Sequence, residues 1–264
     1  MLNARCLTAP GMSELKSKKR KLKGQRHLKP AVGQLEDVKP PHRRTSCSIP
    51  LRKINPRWMG RPVIVAATGP GLTPEVVKIC QASRLSTIAV NDAYRLMPWA
   101  DMLYACDDMW WRHHDGCPDF AGEKWSSHGA IGSKRHNDKS KAAALYGLNL
   151  VAGRDEIGFS LDPHVIHYGS NSGFQAVNIA LLAGGNPIIL VGFNMQAVGK
   201  RRHFFGDHPA GLRNTADYRN FVRHYVHAAK RLSPDIKILN ATPDSALTCF
   251  PKVDLHDAIA AARA

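Results

Sequence analysis

From residue 61 onward, short runs of apolar residues alternate with segments in which apolar residues recur at every third or fourth position. Continuous apolar runs rich in β-branched residues are typical of strands that are buried on both faces of a parallel sheet. A spacing of three and four residues is typical of a helix with one buried side. The predicted strands, in chain order, are PVIVAAT, STIAVND, DMLYACDD, HVIHYG, PIILVGF and DIKILNAT.

Helices are predicted between these strands. TPEVVKICQAS has Thr73 as its candidate N-cap and Pro74 at its first helical position, a combination that favours a helix start. Residues 109–154 are less regular, and we expect two short strands or loops there. The other predicted helical segments are the link AYRLMPWA, residues 173–182, the strongly amphipathic TADYRNFVRHYVHAAKRL and the closing LHDAIAAARA.

The order of these elements predicts an α/β, Rossmann-like fold, with a mostly parallel sheet and helices on both faces. Residues 61–264 are predicted to form this domain, and the apolar content of the chain, 44%, is sufficient for a normal core. Open α/β sheets bind ligands outside the carboxyl ends of their strands. We therefore expect the functional residues of this domain at those ends.

The N-terminal segment carries a large share of the positive charge. Residues 1–61 hold 16 of the 37 lysines and arginines of the chain but 3 of its 21 aspartates and glutamates. Such a segment buries too little apolar surface to offset its ordering entropy, so residues 1–60 are predicted to be a disordered basic tail. Residues 1–58 could make weak contacts with nucleic acid or another anionic surface, or they could be a solvated extension.

The cysteines and the apolar runs indicate the cellular compartment in which the protein is expected. The six cysteines show no CxxC spacing, a pattern that matches neither a disulfide framework nor a zinc site and that favours a reducing compartment. The N-terminus lacks the continuous apolar segment of a secretory signal. Because no apolar run approaches the roughly 20 residues that span a bilayer, the sequence predicts a cytoplasmic protein.

Glycine and polar residues follow the first three predicted strands. The backbone N–H groups of Gly69-Pro70-Gly71 could approach a phosphate, or the segment could be a tight turn without a ligand. It matches neither GxGxxG nor a Walker loop. Asn91 and Asp107 close the second and third strands, where they could hold a nucleoside or cap the next helix.

Two further segments carry candidate chemistry. Asn171-Ser172-Gly173 precedes an apolar helix, where it could cap the helix and also hold an anion. After PIILVGF, the loop holds cations and histidines that either form a site or lie on the surface by chance, since the chain has 13 histidines. The candidates there are His203 and His208 as general bases, Asp207 as an orienting carboxylate, and Arg201 and Arg202 as phosphate ligands.

The order of VIVAATGPGL, AVND, SNSGFQAVNIALLAGGNPIILVGFNM and HFFGDH resembles that in bacterial lipooligosaccharide sialyltransferases. It equally resembles DUF115-type proteins related to archaeal 6-hydroxymethylpterin diphosphokinase, a group with many phage-encoded members. The resemblance covers about residues 62–250. It rests on the order and spacing of the motifs rather than on one specific motif.

The resemblance implies roles for the residues at the strand ends. Thr68, in ATGPG, stands where the sialyltransferases have an asparagine that contacts the CMP-sugar donor. Asn91 and Asp107 correspond to further donor contacts. Asn171-Ser172-Gly173 resembles the turn that contacts the nucleotide.

The resemblance also implies roles in the loop after PIILVGF. HFFGDH is one residue longer than the HYIGH segment of the sialyltransferases, so His208 is the nearest counterpart of their catalytic histidine and His203 is the first histidine of the segment. Two tyrosines hold the donor phosphate in that family. NMQAVGKRR has no tyrosine, and Arg201 or Arg202 would substitute.

Three functional hypotheses remain open at this point. The first is a nucleotide-dependent transferase, most like a glycosyltransferase with a nucleotide-sugar donor, no implied cofactor and an unidentified acceptor. The second is a diphosphokinase-like enzyme that uses ATP and Mg²⁺, with Asp107 or Asp108 as a metal ligand. The third is a non-catalytic module that the basic tail tethers to nucleic acid or to a virion component.

Overall fold

The structure of the protein is a computed structural model that describes residues 49–129, 140–212 and 216–263. In these residues, eight strands form one sheet in which all neighbouring pairs are parallel. The α/β, Rossmann-like fold predicted from the sequence is therefore confirmed. The strands are β1 (Val63–Ala66), β2 (Ser86–Val90), β3 (Met102–Tyr104), β4 (Glu123–Gly129), β5 (Asn149–Arg154), β6 (Val165–His167), β7 (Ile188–Val191) and β8 (Ile238–Asn240).

The order of the strands reverses beside β1. It runs β6-β5-β4-β3-β2-β1-β7-β8 across the sheet, so the chain moves outward from β1 to β6 and then returns to the other side of β1. The carboxyl ends of β1 and β7 are neighbours, and the segments that follow them lead in opposite directions. Ligands of open α/β sheets bind in the crevice at such a reversal.

Helices cover both faces of the sheet. Alternate residues of a strand point to opposite faces: Val63 and Val65 of β1 belong to one core and Ile64 and Ala66 to the other. Burial on both faces is the reason for the continuous apolar runs in the sequence. The helices are α1 (Pro74–Ser83), α2 (Asp108–His113), α3 (Ser140–Tyr146), α4 (Ser172–Leu182), α5 (Tyr218–Ala229) and α6 (Leu255–Ala261).

The two cores use different helices. Residues of α4 and α5 pack in the core that contains Val63 and Val65, whereas residues of α1, α2, α3 and α6 pack in the core that contains Ile64 and Ala66. Of the helices in the described residues, none is both long and apolar enough to cross a membrane.

The predicted elements are present, but two boundaries differ from the prediction. The third strand ends at Tyr104, before the two aspartates, because Asp107 caps α2 and Asp108 is its first residue. Asn91 belongs to a 3₁₀ helix, Asn91–Arg95, rather than to the second strand. The segment predicted to be irregular, residues 109–154, contains β4 and β5 together with most of α2 and all of α3.

Residues 49–60, which the sequence assigns to the basic tail, pack against the domain. Ile54 and Trp58 are 3% and 4% exposed, and both belong to the core that includes α4. The N–H of Trp58 donates to the carbonyl of Ala183 at 2.8 Å. The packed part of the chain therefore begins before residue 61, and residues 1–48 of the predicted tail lie outside the described residues.

We predict that Trp58→Ala lowers the free energy of unfolding by about 3–5 kcal/mol. The substitution removes a buried indole and leaves a cavity that the surrounding core fills only in part. Leu51→Ala, in the same segment but 48% exposed, is the matched control and should change that free energy by less than about 0.5 kcal/mol. Urea unfolding followed by circular dichroism measures both. Equal stabilities of the two variants would show that residues 49–60 do not belong to the core.

Candidate functional site

A cavity of about 200 Å³ lies at the carboxyl edge of the sheet, beside the reversal of strand order. Its walls come from segments that are distant in the sequence but follow β1, β2, β3, β6 and β7. Parallel pairing brings these segments to one edge, as expected for a ligand site in this fold. The lining residues are 67–69, 90–91, 106–107, 110, 170–173, 192, 194–196, 202–203, 208, 212, 216, 218 and 221.

Most of the residues predicted from the sequence to form a site share this cavity. Those on its wall are Thr68, Gly69, Asn91, Asp107, Asn171, Ser172, Gly173, Arg202, His203 and His208. Three predicted residues are not on the wall. Gly71 lies behind Gly69 against Asn194, and Arg201 and Asp207 are exposed.

Close packing requires glycine at Gly69 and leaves little room for a side chain at Gly71. A Cβ on Gly69 would lie 2.4 Å from the carbonyl oxygen of Gly192, and one on Gly71 would lie 3.0 Å from Oδ1 of Asn194. The N–H of Gly69 donates to the Gly192 carbonyl at 2.9 Å, and the N–H of Gly71 donates to Asn194 Oδ1 at 2.8 Å. Both N–H groups are thus occupied within the protein, so neither is available for the phosphate contact that the sequence suggests.

Asn91 lies on the cavity wall and has a buried side-chain acceptor. Its φ is 48°, a left-handed conformation that asparagine adopts more readily than most residues. Its Oδ1 is buried and accepts no hydrogen bond from the described residues. A buried acceptor without a donor costs about 1–3 kcal/mol, so a ligand N–H or O–H at this position would recover that energy.

The aspartates after β3 are engaged at the start of α2. Oδ1 of Asp107, the N-cap, accepts from the N–H of Met109 at 2.9 Å, although Asp107 also reaches the cavity wall. Asp108 forms an ion pair with Arg112 at 2.7 Å. Within the described residues, no group of three or more His, Cys, Asp or Glu is arranged to hold a metal ion.

A buried carboxylate lies behind the wall that Trp110 forms. Asp92 is 4% exposed, and its Oδ2 accepts from Nε1–H of Trp110 at 2.8 Å. Its Oδ1 lies 3.5 Å from Nε2 of His114. Burial lowers the pKa of His114, and the Asp92 carboxylate opposes that shift.

The start of α4 offers backbone donors to the cavity. Oδ1 of Asn171, the N-cap, accepts from the N–H of Phe174 at 2.8 Å. The first N–H groups of a helix have no partner within the helix, and the helix dipole places partial positive charge around them. Because Asn171 takes the N–H of Phe174, the N–H groups of Ser172 and Gly173 remain for an anion.

Helix α5 holds this turn in place. Ser170 has a φ of 62°; its Oγ accepts from Nδ2 of Asn220 at 3.1 Å and lies 3.2 Å from Nε2 of His224. The hydroxyl of Tyr225 donates to Oδ1 of Asn171 at 3.4 Å. The amphipathic helix predicted from the sequence thus fills the core and also fixes the residues that precede α4.

The loop after β7 folds back over the end of β1. The N–H of Phe204 donates to the carbonyl of Thr68 at 2.9 Å, and Nδ1 of His203 lies 3.0 Å from Oγ1 of Thr68. The His203 ring stacks on Phe205, with centroids 5.0 Å apart and planes at 5°. Its centroid lies 4.5 Å from that of His208, so the cavity wall brings both predicted histidines together.

Burial sets the charge state of His203. Loss of solvent lowers its pKa to about 4, and the neighbouring His208 acts in the same direction. The carboxylates of Asp92 and Asp207 and a hydrogen bond to the backbone of Thr68 oppose the shift. His203 is therefore a neutral imidazole near neutral pH, the form in which histidine accepts a proton.

Arg202 and Tyr218 also line the cavity. The Tyr218 hydroxyl is buried and has no hydrogen-bond partner in the described part of the chain. Burial raises the pKa of Tyr218, and the charge of Arg202 opposes the rise. The sequence suggests that Asp207 orients a histidine of this loop. In the structure, Thr68 makes the side-chain contact to His203, and the charge of Asp207 raises the pKa of His203.

Several lining residues were not among the predicted site residues: Trp110, Met195, Gln196, Leu212, Tyr218 and Phe221. The sequence places Tyr218 and Phe221 in the apolar stripe of an amphipathic helix. An aromatic residue has the same helical spacing whether its ring packs in a core or borders a cavity, so the pattern does not separate the two. The position of Tyr218 at the first turn of α5, close to the cationic loop, is the signal that would have marked it.

Known structures share this architecture. The MAf glycosyltransferase from Magnetospirillum magneticum AMB-1 is 12% identical with a TM-score of 0.52, and the match covers 77% of this chain and 35% of that chain. The chain thus spans about a third of the length of that enzyme. The likeness shows that this chain shares its fold with part of that enzyme.

Two structures of CstII are also similar. The sialyltransferase CstII from Campylobacter jejuni, solved in complex with the substrate analogue CMP-3FNeuAc, has a TM-score of 0.44 and 13% identity, over 73% of this chain and 86% of that chain. Monomeric CstII has a TM-score of 0.41 and 13% identity, over 72% and 85%. No protein-family model matches the sequence, and neither does a curated protein.

We predict that His203 makes the stability of the protein depend on pH. Its pKa is about 4 in the folded protein, against an ordinary value of 6.5, so between these values the unfolded chain binds a proton that the folded chain does not. The contribution of His203 to stability is present above pH 6.5 and is lost as the pH falls towards 4. In His203→Gln, the free energy of unfolding should therefore fall less steeply over this range.

Urea unfolding at a series of pH values measures this effect as the difference between the two proteins. His164→Gln, which removes an exposed histidine, is the matched control. Parallel curves for the wild-type protein and His203→Gln between pH 4 and 6.5 would contradict the assignment of the low pKa to His203.

Proposed function

We propose that this chain is a nucleotide-dependent transferase, and specifically a glycosyltransferase that uses a nucleotide-sugar donor. The observation that carries the proposal is the convergence of Asn91, the start of α4 and the two histidines of the β7 loop on one cavity. Asn91 can bind a nucleoside, the start of α4 can bind a phosphate, and a histidine can accept a proton. The fold shared with the Magnetospirillum glycosyltransferase supports the proposal.

In the proposed complex, the donor phosphate lies at the start of α4. The N–H groups of Ser172 and Gly173 and the positive end of the helix dipole suit a phosphate. Arg202 adds a charge-assisted hydrogen bond, and the buried Tyr218 hydroxyl gains a partner that no described residue gives it. Tyr218 comes from α5 and thereby supplies the phenol that the segment NMQAVGKRR does not contain.

The nucleoside lies against the ends of β2 and β3. Oδ1 of Asn91 accepts an N–H or O–H from the base or the ribose, which satisfies this buried atom. Asp107 offers a further acceptor on the same side. A base with an amino group, as in cytosine, fits this requirement, and the resemblance to sialyltransferases makes a CMP-sugar the first donor to test.

The chemistry then needs a base and a stabilised leaving group. The acceptor hydroxyl forms a bond to the anomeric carbon of the sugar while the bond between that carbon and the phosphate oxygen breaks. The electron pair of that bond goes to the phosphate, where Arg202 and the α4 dipole stabilise the added charge. A neutral histidine of the β7 loop takes the proton from the acceptor.

We predict that a nucleotide sugar binds this cavity and that Arg202→Gln weakens binding by about 10- to 100-fold, because a charge-assisted hydrogen bond to phosphate is lost. Arg201→Gln removes the adjacent cation; both arginines are exposed, but Arg201 is not on the cavity wall. This control should bind within about twofold of the wild-type protein. Isothermal titration with CMP-, UDP- and GDP-sugars measures the dissociation constants.

Two other outcomes would redirect the functional assignment. If no nucleotide sugar binds, the glycosyltransferase proposal fails. If ATP alone binds, and only with Mg²⁺, transfer of diphosphate from ATP becomes the better explanation. Repeating the titrations with and without EDTA separates these cases.

A further inference from the structure

The positive charge of the folded domain is concentrated in one segment of the chain. Residues 199–231, which run from the β7 loop through α5, hold 8 lysines and arginines and 2 aspartates and glutamates. The rest of residues 62–264 holds 13 and 16, so the domain outside this segment is net negative. A local excess of cations in such a background is the electrostatic footprint of an anionic partner.

Helix α5 arranges part of this charge in a row. The exposed residues between positions 219 and 230 are Arg219, Arg223, His227 and Lys230. Their spacing of four, four and three residues puts them on one side of the helix, whose opposite side is buried in the core. At about 1.5 Å per residue, this basic row extends over about 17 Å of the surface.

A tight turn in the β7 loop presents three more cations. The N–H of Val198 donates to the carbonyl of Arg201 at 3.0 Å, and the N–H of Arg201 donates to the carbonyl of Val198 at 3.1 Å. Gly199 takes the left-handed φ of 61° that closes this turn. Lys200, Arg201 and Arg202, the hairpin cations, are all exposed.

The basic row and the hairpin cations meet beside the cavity. Arg202 lies on the cavity wall, and so do Tyr218 and Phe221 from the first turn of α5. The charge of Arg202 also opposes the rise in the pKa of Tyr218, which places this cation near the start of the row. The two sets therefore form one basic surface that runs along α5 to the cavity.

These cations are not neutralised within the protein. Among the ion pairs of the described residues, none includes a cation of the row or of the hairpin. Arg223 donates to a neutral amide, Oδ1 of Asn220, at 2.7 Å. Of the two carboxylates in the segment, Asp217 is already engaged as the N-cap of α5. The positive charge thus remains available to a partner.

The chemistry of the surface favours nucleic acid as that partner. None of the large apolar side chains exposed in the described residues belongs to residues 199–231, whereas a helix that lies on a membrane, or a typical protein interface, needs apolar or aromatic contacts. Phosphates supply most of the affinity for nucleic acid, and the arginine fork fits them. With one charge per 3.4 Å of a strand, a row of about 17 Å faces about five phosphates.

We propose that the basic row of α5 and the hairpin cations form a docking surface for the phosphate backbone of nucleic acid. The surface belongs to the folded domain and is separate from the basic residues of the N-terminal segment. A strand held along α5 passes beside the cavity. The proposal goes beyond the transferase function and does not depend on it, because the surface binds its partner without a donor.

Fluorescence anisotropy with the full-length protein and a labelled single-stranded DNA of about 20 nucleotides tests the proposal, with NaCl varied from about 50 to 300 mM. The row variant, Arg219→Gln with Arg223→Gln and Lys230→Gln, should bind at least about tenfold more weakly near 100 mM salt. Its plot of log affinity against log salt should lose about 2 from its slope, since three phosphate contacts are removed. Lys200→Gln with Arg201→Gln should lower the slope by about 1.

A matched control removes the same charge from elsewhere on the domain. Lys78, Arg84 and Lys252 are exposed, and the first two lie on or directly after α1, which packs on the opposite face of the sheet from α5. Replacing all three with Gln should keep the affinity within about threefold and the slope within about 0.5 of the wild-type values. Circular dichroism checks that each variant keeps its fold.

Three results would overturn the inference. The first is no binding of the DNA by the wild-type protein, and the second is an equal loss of affinity in the row variant and the control. The third is displacement of the DNA by polyglutamate or by vesicles containing phosphatidylserine as readily as by unlabelled DNA at equal charge. Since no donor is present, the proposed transferase function is decided separately by the titrations with nucleotide sugars.

Discussion

Direct contact between the backbones that follow β1 and β7 determines the geometry of the carboxyl edge. Gly69 and Gly192 meet without side chains between them, and a Cβ on either would lie 2.4 Å from a carbonyl oxygen of the opposite segment. Asn194 joins the same contact, since its Oδ1 accepts from the N–H of Gly71 and its Nδ2 donates to the carbonyl of Pro243 at 3.3 Å. Because these segments touch and then diverge, the β7 loop can return to Thr68 and close a cavity above the sheet.

The glycines after β1 show that a sequence motif can be present without the binding groups that it suggests. Glycines between a strand and a helix suggest phosphate binding, and here they lie at the correct edge of the sheet. Their N–H groups nevertheless donate to Gly192 and Asn194, and close packing alone accounts for the glycine at position 69. The free donors lie instead at the start of α4, across the same cavity. A helix start can hold an anion only where its first N–H groups are free, and which start meets this condition is visible in the contacts rather than in the sequence.

The parts of the structure that the sequence predicts are those with a strong local signal. The strands were identifiable because both faces of the sheet are buried, which produces unbroken apolar runs such as PIILVGF. The strand-end residues Asn91 and Ser172 could be placed near one another because parallel pairing aligns carboxyl ends. Trp58 gave no such signal, since a single aromatic among basic residues has no period. The contact between Thr68 and His203 joins residues 135 positions apart, and no spacing rule along the chain encodes it.

Three residues on the cavity wall hold the backbone in a conformation that side chains disfavour. Asn91, Ser170 and Met195 have φ values of 48°, 62° and 51°, and such conformations cost of order 1 kcal/mol or more for residues other than glycine. Glycine at Ser170 would relieve this strain, but it would also remove the oxygen that Asn220 and His224 contact. The pocket is thus maintained against a local preference of the chain to relax. Substitutions chosen at these positions for thermal stability alone would therefore also change the shape of the cavity wall.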